Sequence, residues 1–95
     1  MGIGQALMEE TVYYPHTARP LNTDLATYHI ASGADVPWIE VAFVGNADLH
    51  FNPIGARGCG EIGIVGTAPA IANAIYHATG KRLRRLPMLP EQLLG

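Results

Sequence analysis

The stretch Asn52-Pro53-Ile54-Gly55-Ala56-Arg57-Gly58-Cys59-Gly60-Glu61-Ile62-Gly63 decides how the rest of the chain is read. Gly55, Gly58 and Gly60 recur at every second or third position and allow backbone angles that residues with a side chain avoid. They also let a second group lie close against the main chain, and successive N–H groups in such a turn form a concave anion site. The loop ends on a carboxylate, Glu61, a few residues ahead of a helix. The wider segment 45–66 adds Gly45 and Gly66 and has almost no hydrophobic period, so it is expected to be loop.

On the C-terminal side, the spacing predicts a helix over about 68–79. Thr67 is placed to cap it, Pro69 is tolerated in its first turn, and Ile71, Ala74, Ile75 and Ala78 share one apolar face. Gly80 stands where a left-handed C-terminal residue belongs. Residues 82–86 alternate charge and leucine like an edge strand, and 90–94 suggest a short terminal helix. On the N-terminal side, 38–44 is the strongest strand, with Ile39, Val41 and Phe43 on one face and Glu40, Ala42 and Val44 on the other. Residues 11–14 read as a short strand and 25–30 as a weaker one, with proline- and serine-bearing loops at 15–22 and 32–37. Residues 2–10 read as a helix with Ile3, Ala6 and Leu7 on one side. No Ser, Thr, Asp or Asn precedes that helix as a cap, which suggests that the chain starts inside a longer element and that Met1 is an internal methionine. The expected class is α+β: one small domain over 1–95 with a helix, short antiparallel strands, a glycine-rich loop and a second helix, without strict βαβ alternation.

Composition narrows the choice of function. The chain has 95 residues, 48% of them hydrophobic and only 15% charged. That charge content is well below the roughly 25% of soluble domains, so the polar cover is thin for a free-standing small domain and suits a slice of a larger body. A net charge of −2 gives no overall pull toward nucleic acid or anionic membrane. Cys59 is the single cysteine, which excludes an internal disulfide; no apolar run is long enough to span a membrane, and no signal peptide is expected.

Gly58-Cys59-Gly60-Glu61 resembles the Gly-x-Gly-Glu motif of the molybdenum hydroxylases, the family of xanthine dehydrogenase and aldehyde oxidase. The likeness extends over all of 52–63, which is similar to the family's catalytic loop. It continues through Ala68-Pro69-Ala70-Ile71-Ala72-Asn73-Ala74-Ile75, similar to the small-residue helix that follows. Gly80, Arg84-Arg85-Leu86-Pro87 and Pro90-Glu91 look like the closing segment. At the front, Gly2-Ile3-Gly4-Gln5-Ala6-Leu7-x-Glu9-Glu10 is similar to the family's glycine-containing helix, and Leu21-Asn22 and Asp35-x-Pro37 follow in order. One departure is Met1, which stands where many members have a pterin-contacting glutamine.

The resemblance implies that the chain is the C-terminal piece of the molybdopterin-binding large subunit of an oxidoreductase that hydroxylates an aldehyde or N-heterocycle with water-derived oxygen. Glu61 is then the catalytic base toward a molybdenum-bound hydroxyl, whose acidity the metal raises. Gly55, Ala56, Arg57, Gly58, Cys59 and Gly60 are then the cofactor-contacting loop, with molybdenum held through the pterin and not by a side chain. Iron–sulfur clusters and FAD are expected on partner subunits or domains, beside the remainder of the large subunit and a small-molecule substrate. The family implies a cytoplasmic setting, or a periplasmic one. The chain alone is expected to be inactive, since most pterin-binding segments have no counterpart in it.

Plainer readings stand beside these. Glu61 could answer a helix dipole, and Arg57 could be a surface residue or an anion partner. Cys59 is expected to be a small packing residue, and Glu9 and Glu10 a solvated helix end. His16, His29, His50 and His77 lack metal-ligand spacing and suit loops or surface. Tyr13, Tyr14, Tyr28 and Trp38 suit strand packing. Lys81, Arg82, Arg84 and Arg85 are expected to face solvent from an edge strand. Two other functions remain open at this point: an anion- or nucleotide-binding module built on the glycine loop, and a truncated, non-catalytic interaction protein.

Overall fold

A computed structural model describes residues 1–36 and 38–94. Its helices are α1 (Gly2–Leu7), α2 (Ile62–Val65) and α3 (Thr67–Thr79), followed by a 3-10 turn at Pro90–Leu93. The long helix and the terminal turn fall where the hydrophobic spacing places them. Gly80 closes α3 at φ 73°, and its N–H donates to the Tyr76 carbonyl at 2.8 Å.

Thr67 does not cap α3. Gly66 occupies the cap position and Thr67 is the first helical residue, making no cap hydrogen bond. Its side chain packs against α1 instead: a Cβ on Gly2 would lie 2.7 Å from both Thr67 Cβ and Oγ1. The half-buried stripe of α3 is therefore Thr67, Ala68, Ile71, Ala72 and Ile75, while Ala74 and Ala78 are exposed. The expected face is rotated because α1 and the closing segment approach from the Thr67–Ala68 side.

The core is small. Ala6 is fully buried and Met88 3% exposed, and Gly4 and Pro87 are buried beside them. The Met88 N–H donates to the Ala6 carbonyl at 2.7 Å, which draws the closing segment onto α1. The Leu86–Pro87 peptide is cis. Gln92 Nε2 donates to the Pro87 carbonyl at 3.0 Å, and Lys81 Nζ to the Leu93 carbonyl at 2.7 Å, so the last turn folds back on the segments before it.

The expected strands are nearly absent among the described residues. Residues 11–14 contribute one antiparallel bridge, Tyr13 to Pro20, flanked by hydrogen bonds from Tyr14 N–H to the Arg19 carbonyl (2.9 Å) and from Leu21 N–H to the Val12 carbonyl (2.8 Å). Asn22 braces this hairpin: its Oδ1 accepts from Val12 N–H at 2.9 Å and its Nδ2 donates to the Glu10 carbonyl. Residues 25–30 begin as a turn. Asp24 Oδ1 takes the N–H groups of Ala26 (2.9 Å) and Thr27 (3.0 Å), a local capture that competes with extension. Residues 82–86 form no strand either. The alternating 38–44 segment lies in solvent without a ladder partner among the described residues: Trp38 is 82% exposed, Phe43 93% and Val44 99%. Tyr13, Tyr14 and Trp38 are thus exposed and not packed in strands. Of the Asp35-x-Pro37 signature, Pro37 lies outside the described residues.

Surface area measures the consequence. The chain exposes 8100 Å², against about 5300 Å² for a compact monomer of its mass. Its radius of gyration is 18.0 Å, against about 12 Å for a closed domain of this length. The excess lies in loops whose apolar side chains have nothing to pack on.

Two outcomes follow. Gly2→Val should force α1 off Thr67 and destabilise the chain by about 1–3 kcal/mol, read as a lower urea midpoint. Ser32 donates to Asp35 Oδ2 from Oγ (2.6 Å) and from its N–H (2.8 Å), and these bonds hold the Asp35 carboxyl below the usual carboxylate range. Because folding lowers this pKa, the associated stability is fully present above the ordinary aspartate value of about 3.9. It fades as the pH falls through the lowered value. In a carboxyl-carbon NMR titration, Ser32→Ala should move the Asp35 midpoint up toward the ordinary value; an unmoved midpoint would refute this account.

Candidate functional site

Asn52 shapes the glycine loop. Its Oδ1 accepts from the N–H groups of Ala56 (3.1 Å) and Ile54 (3.2 Å), its Nδ2 donates to the Ala56 carbonyl, and its own carbonyl takes Gly55 N–H at 3.0 Å. Gly55 has φ 64°, and a Cβ there would lie 2.6 Å from Ala47 Cβ, so both conformation and close packing require glycine. Arg57 closes the loop sideways. Its guanidinium pairs with Asp48 and lies 4.7 Å from the Phe51 ring centroid. Arg57 is thus an exposed side chain whose ion-pair partner in the structure is Asp48. Gly58 and Gly60 have open space where a Cβ would stand.

Glu61 follows at the cap position of α2, with φ −91° and ψ 2° in the bridge region between helix and extended backbone. Its side chain makes no cap hydrogen bond, so it is not engaged with the helix end. It is exposed, and it lines a cleft of ≈ 520 Å³ together with Ile64 of α2 and with Met1, Gln5 and Glu9 from α1 and the residues flanking it. Thr11 and Tyr28 complete the wall. The structure thus brings Glu61 to the front helix, whereas Gly55, Ala56, Arg57, Gly58, Cys59 and Gly60 do not line this cleft. A larger hollow of ≈ 710 Å³ at the tip of the 12–21 hairpin is bounded by Tyr14, Thr17, Arg19, Pro20, Leu21 and Thr23 and has no carboxylate in its lining.

Several side chains depart from their expected roles. Cys59 is an exposed free thiol, not a packing residue, because the loop has nothing behind it. Glu9 is half-buried: α1 ends at Leu7, Met8 leaves helical geometry, and Glu9 Oε2 accepts the Tyr28 hydroxyl at 3.0 Å. That hydrogen bond, helped by desolvation and by the carboxylate's charge, raises the Tyr28 hydroxyl above the ordinary phenol range. Neither the Glu9–Tyr28 pair nor the loop-shaping role of Asn52 was evident from spacing, since each depends on turns that sequence periodicity does not report. In the basic cluster, Lys81 reaches Leu93, and Arg82 stacks 3.8 Å from the Tyr76 ring centroid while donating to Asn73 Oδ1 at 2.7 Å. Arg85 faces Glu10 at 3.9 Å.

Among the described residues, no group of three or more His, Cys, Asp and Glu side chains could hold a metal ion. Gly58 and Gly60 leave open backbone beside the Glu61 carboxylate, with nothing of the described chain filling the space there. Among the described residues, no helix is long and apolar enough to cross a membrane.

No family model matches the chain. Curated relatives do. The molybdenum-binding subunit of an aldehyde oxidoreductase of Escherichia coli is 43% identical over 94 residues, covering 99% of this chain and 13% of that subunit. The gamma subunit of the 6-hydroxypseudooxynicotine dehydrogenase complex of Paenarthrobacter nicotinovorans is 39% identical over 96 residues, covering 99% of the chain and 12% of that subunit. A putative xanthine dehydrogenase molybdenum-binding subunit of Escherichia coli is 36% identical over 93 residues, covering 98% and 12%. The chain therefore spans only about an eighth of the length of these relatives, and along almost all of its own length it belongs to the family of molybdenum-binding subunits of aldehyde oxidoreductases and xanthine dehydrogenases.

Proposed function

We propose that this chain is the part of a molybdopterin-binding catalytic subunit that presents the base, Glu61, to the reacting centre. One observation carries the reading: the loop that ends in Glu61 and the glycine-containing front helix, far apart in sequence, meet at one cleft through Glu61, Gln5 and Glu9. The molybdenum–pterin group, when bound, supplies a Lewis acid and an acceptor for the substrate's electrons. The chain's own residues do the rest of what is proposed here. The Glu61 carboxylate takes a proton at an Oε atom, which requires that atom to come within hydrogen-bond reach of the group that gives it up. The loop from Gly55 to Gly60, with open space at Gly58 and Gly60, gives the cofactor access to the main chain. Gln5 offers an amide donor and acceptor from the facing wall.

The substrate class in this reading is an aldehyde or N-heterocycle, and the electrons leave through iron–sulfur clusters and FAD on partner subunits or domains. The unpaired 38–44 segment supports a larger α+β body, because its alternating face has no ladder partner among the described residues. The surplus surface, about 2800 Å² on this side alone, is at least as large as one side of most obligate interfaces, whose two sides together bury about 2000–5000 Å². The chain alone is accordingly inactive in this reading. A nucleotide module is disfavoured by charge, since the Glu61 carboxylate stands at the start of the helix that would receive the phosphate.

In the complete enzyme, Glu61→Gln should leave molybdenum content unchanged and lower kcat by about 10²–10⁴-fold. Normal turnover in that variant would end the assignment of Glu61.

A further inference from the structure

Glu9 occupies a position that the rest of α1 is shaped to allow. Its N–H donates to the Gly4 carbonyl at 2.8 Å, which folds the chain back at the helix end. Its Oε1 then lies over Gly4, where any Cβ would collide with it. Its Oε2 accepts the Tyr28 hydroxyl at 3.0 Å. Tyr28 is itself held by a turn: its N–H donates to the Asp24 carbonyl at 2.8 Å, and Asp24 Oδ1 fixes Ala26 and Thr27. Both Glu9 and Tyr28 are half-buried, and both line the cleft that contains Glu61. The neighbouring Glu10, by contrast, faces Arg85.

We propose that Glu9 and Tyr28 are a positioning pair that fixes the α1 wall of the cleft opposite Glu61. The inference rests on the reading of Glu61 as the base. A hydrogen bond between a hydroxyl and a carboxylate is stronger and more directional than a neutral one, and here it ties two segments that share no helix or strand. Gly4 is part of the device, because it leaves the space that the carboxylate fills. Loss of the tie frees the turn after α1 that carries Glu9, and the Tyr28 segment, to shift relative to Glu61, and misplacement on the ångström scale is costly for proton transfer between held groups.

The test uses the complete enzyme with its cofactor. Glu9→Ala and Tyr28→Phe should each lower kcat by about ten- to a hundredfold, with KM and molybdenum content within about twofold of the parent. The double variant should be no worse than the poorer single one, as expected for two partners of one bond. Gly4→Ala should reproduce Glu9→Ala, and Glu9→Gln, which still accepts the hydroxyl, should recover most of the activity. Parental kcat in Glu9→Ala and Tyr28→Phe, alongside an inactive Glu61→Gln, overturns the positioning role while leaving the base in place. Loss of molybdenum in the Glu9 and Tyr28 variants, with no recovery in Glu9→Gln, also overturns it, since the residues would then only support the fold. An active Glu61→Gln removes the reading on which the pair depends.

Discussion

No side chain fits between Gly2 and Thr67. That close approach seats α1 on the start of α3, and much of the arrangement depends on it. Gly66 joins α3 directly to α2, and Glu61 opens α2, so the place where α1 meets Thr67 also sets where Glu61 stands relative to Gln5 and Glu9. On its other side α1 receives the closing segment through the bond from Met88 N–H to the Ala6 carbonyl. A helix of six residues has no stability of its own in water. It exists here because two longer-range contacts hold it, one at Gly2, where no side chain keeps Thr67 away, and one at the buried Ala6.

Between these fixed points the backbone satisfies its polar groups by local means. Asn22, Asp24, Asp35 and Asn52 each take N–H groups of nearby residues that would otherwise need a strand partner. This is how backbone polar groups find partners where the described residues hold a single β-bridge. The apolar side chains have no such local solution. Trp38, Val41, Phe43 and Val44 can be removed from water only by another surface, and the chain has none to offer. The contrast between satisfied polar turns and uncovered apolar strips is the physical mark of a segment whose relatives are about eight times as long.

The cleft at Glu61 shows how tertiary placement gives a carboxylate a context. At the start of a four-residue helix it would be an ordinary surface group. The neighbouring wall supplies an amide from Gln5 and a carboxylate already engaged by Tyr28, so the polar groups of the cleft have distinct roles open to them. The glycines before it serve different purposes. Gly55 is required by its positive φ and by Ala47, Gly60 by its positive φ of 33°, and Gly58 and Gly60 leave space that nothing among the described residues fills.

The sequence by itself determined the family, through an ordered series of motifs that short-range chemistry cannot mimic by chance. It also determined α3, its left-handed stop at Gly80 and the terminal turn, because these depend on spacing and on residues adjacent in the chain. The strands at 25–30, 38–44 and 82–86 could not be decided that way: alternation reports a face suited to burial, but a strand also needs a partner, and partners are a property of the whole fold. The rotation of the α3 stripe, the exposure of Cys59, the pairing of Arg57 with Asp48 and the tie between Glu9 and Tyr28 were decided only by tertiary structure. Each depends on which other group, if any, stands beside the residue in space, and spacing along the chain does not report that.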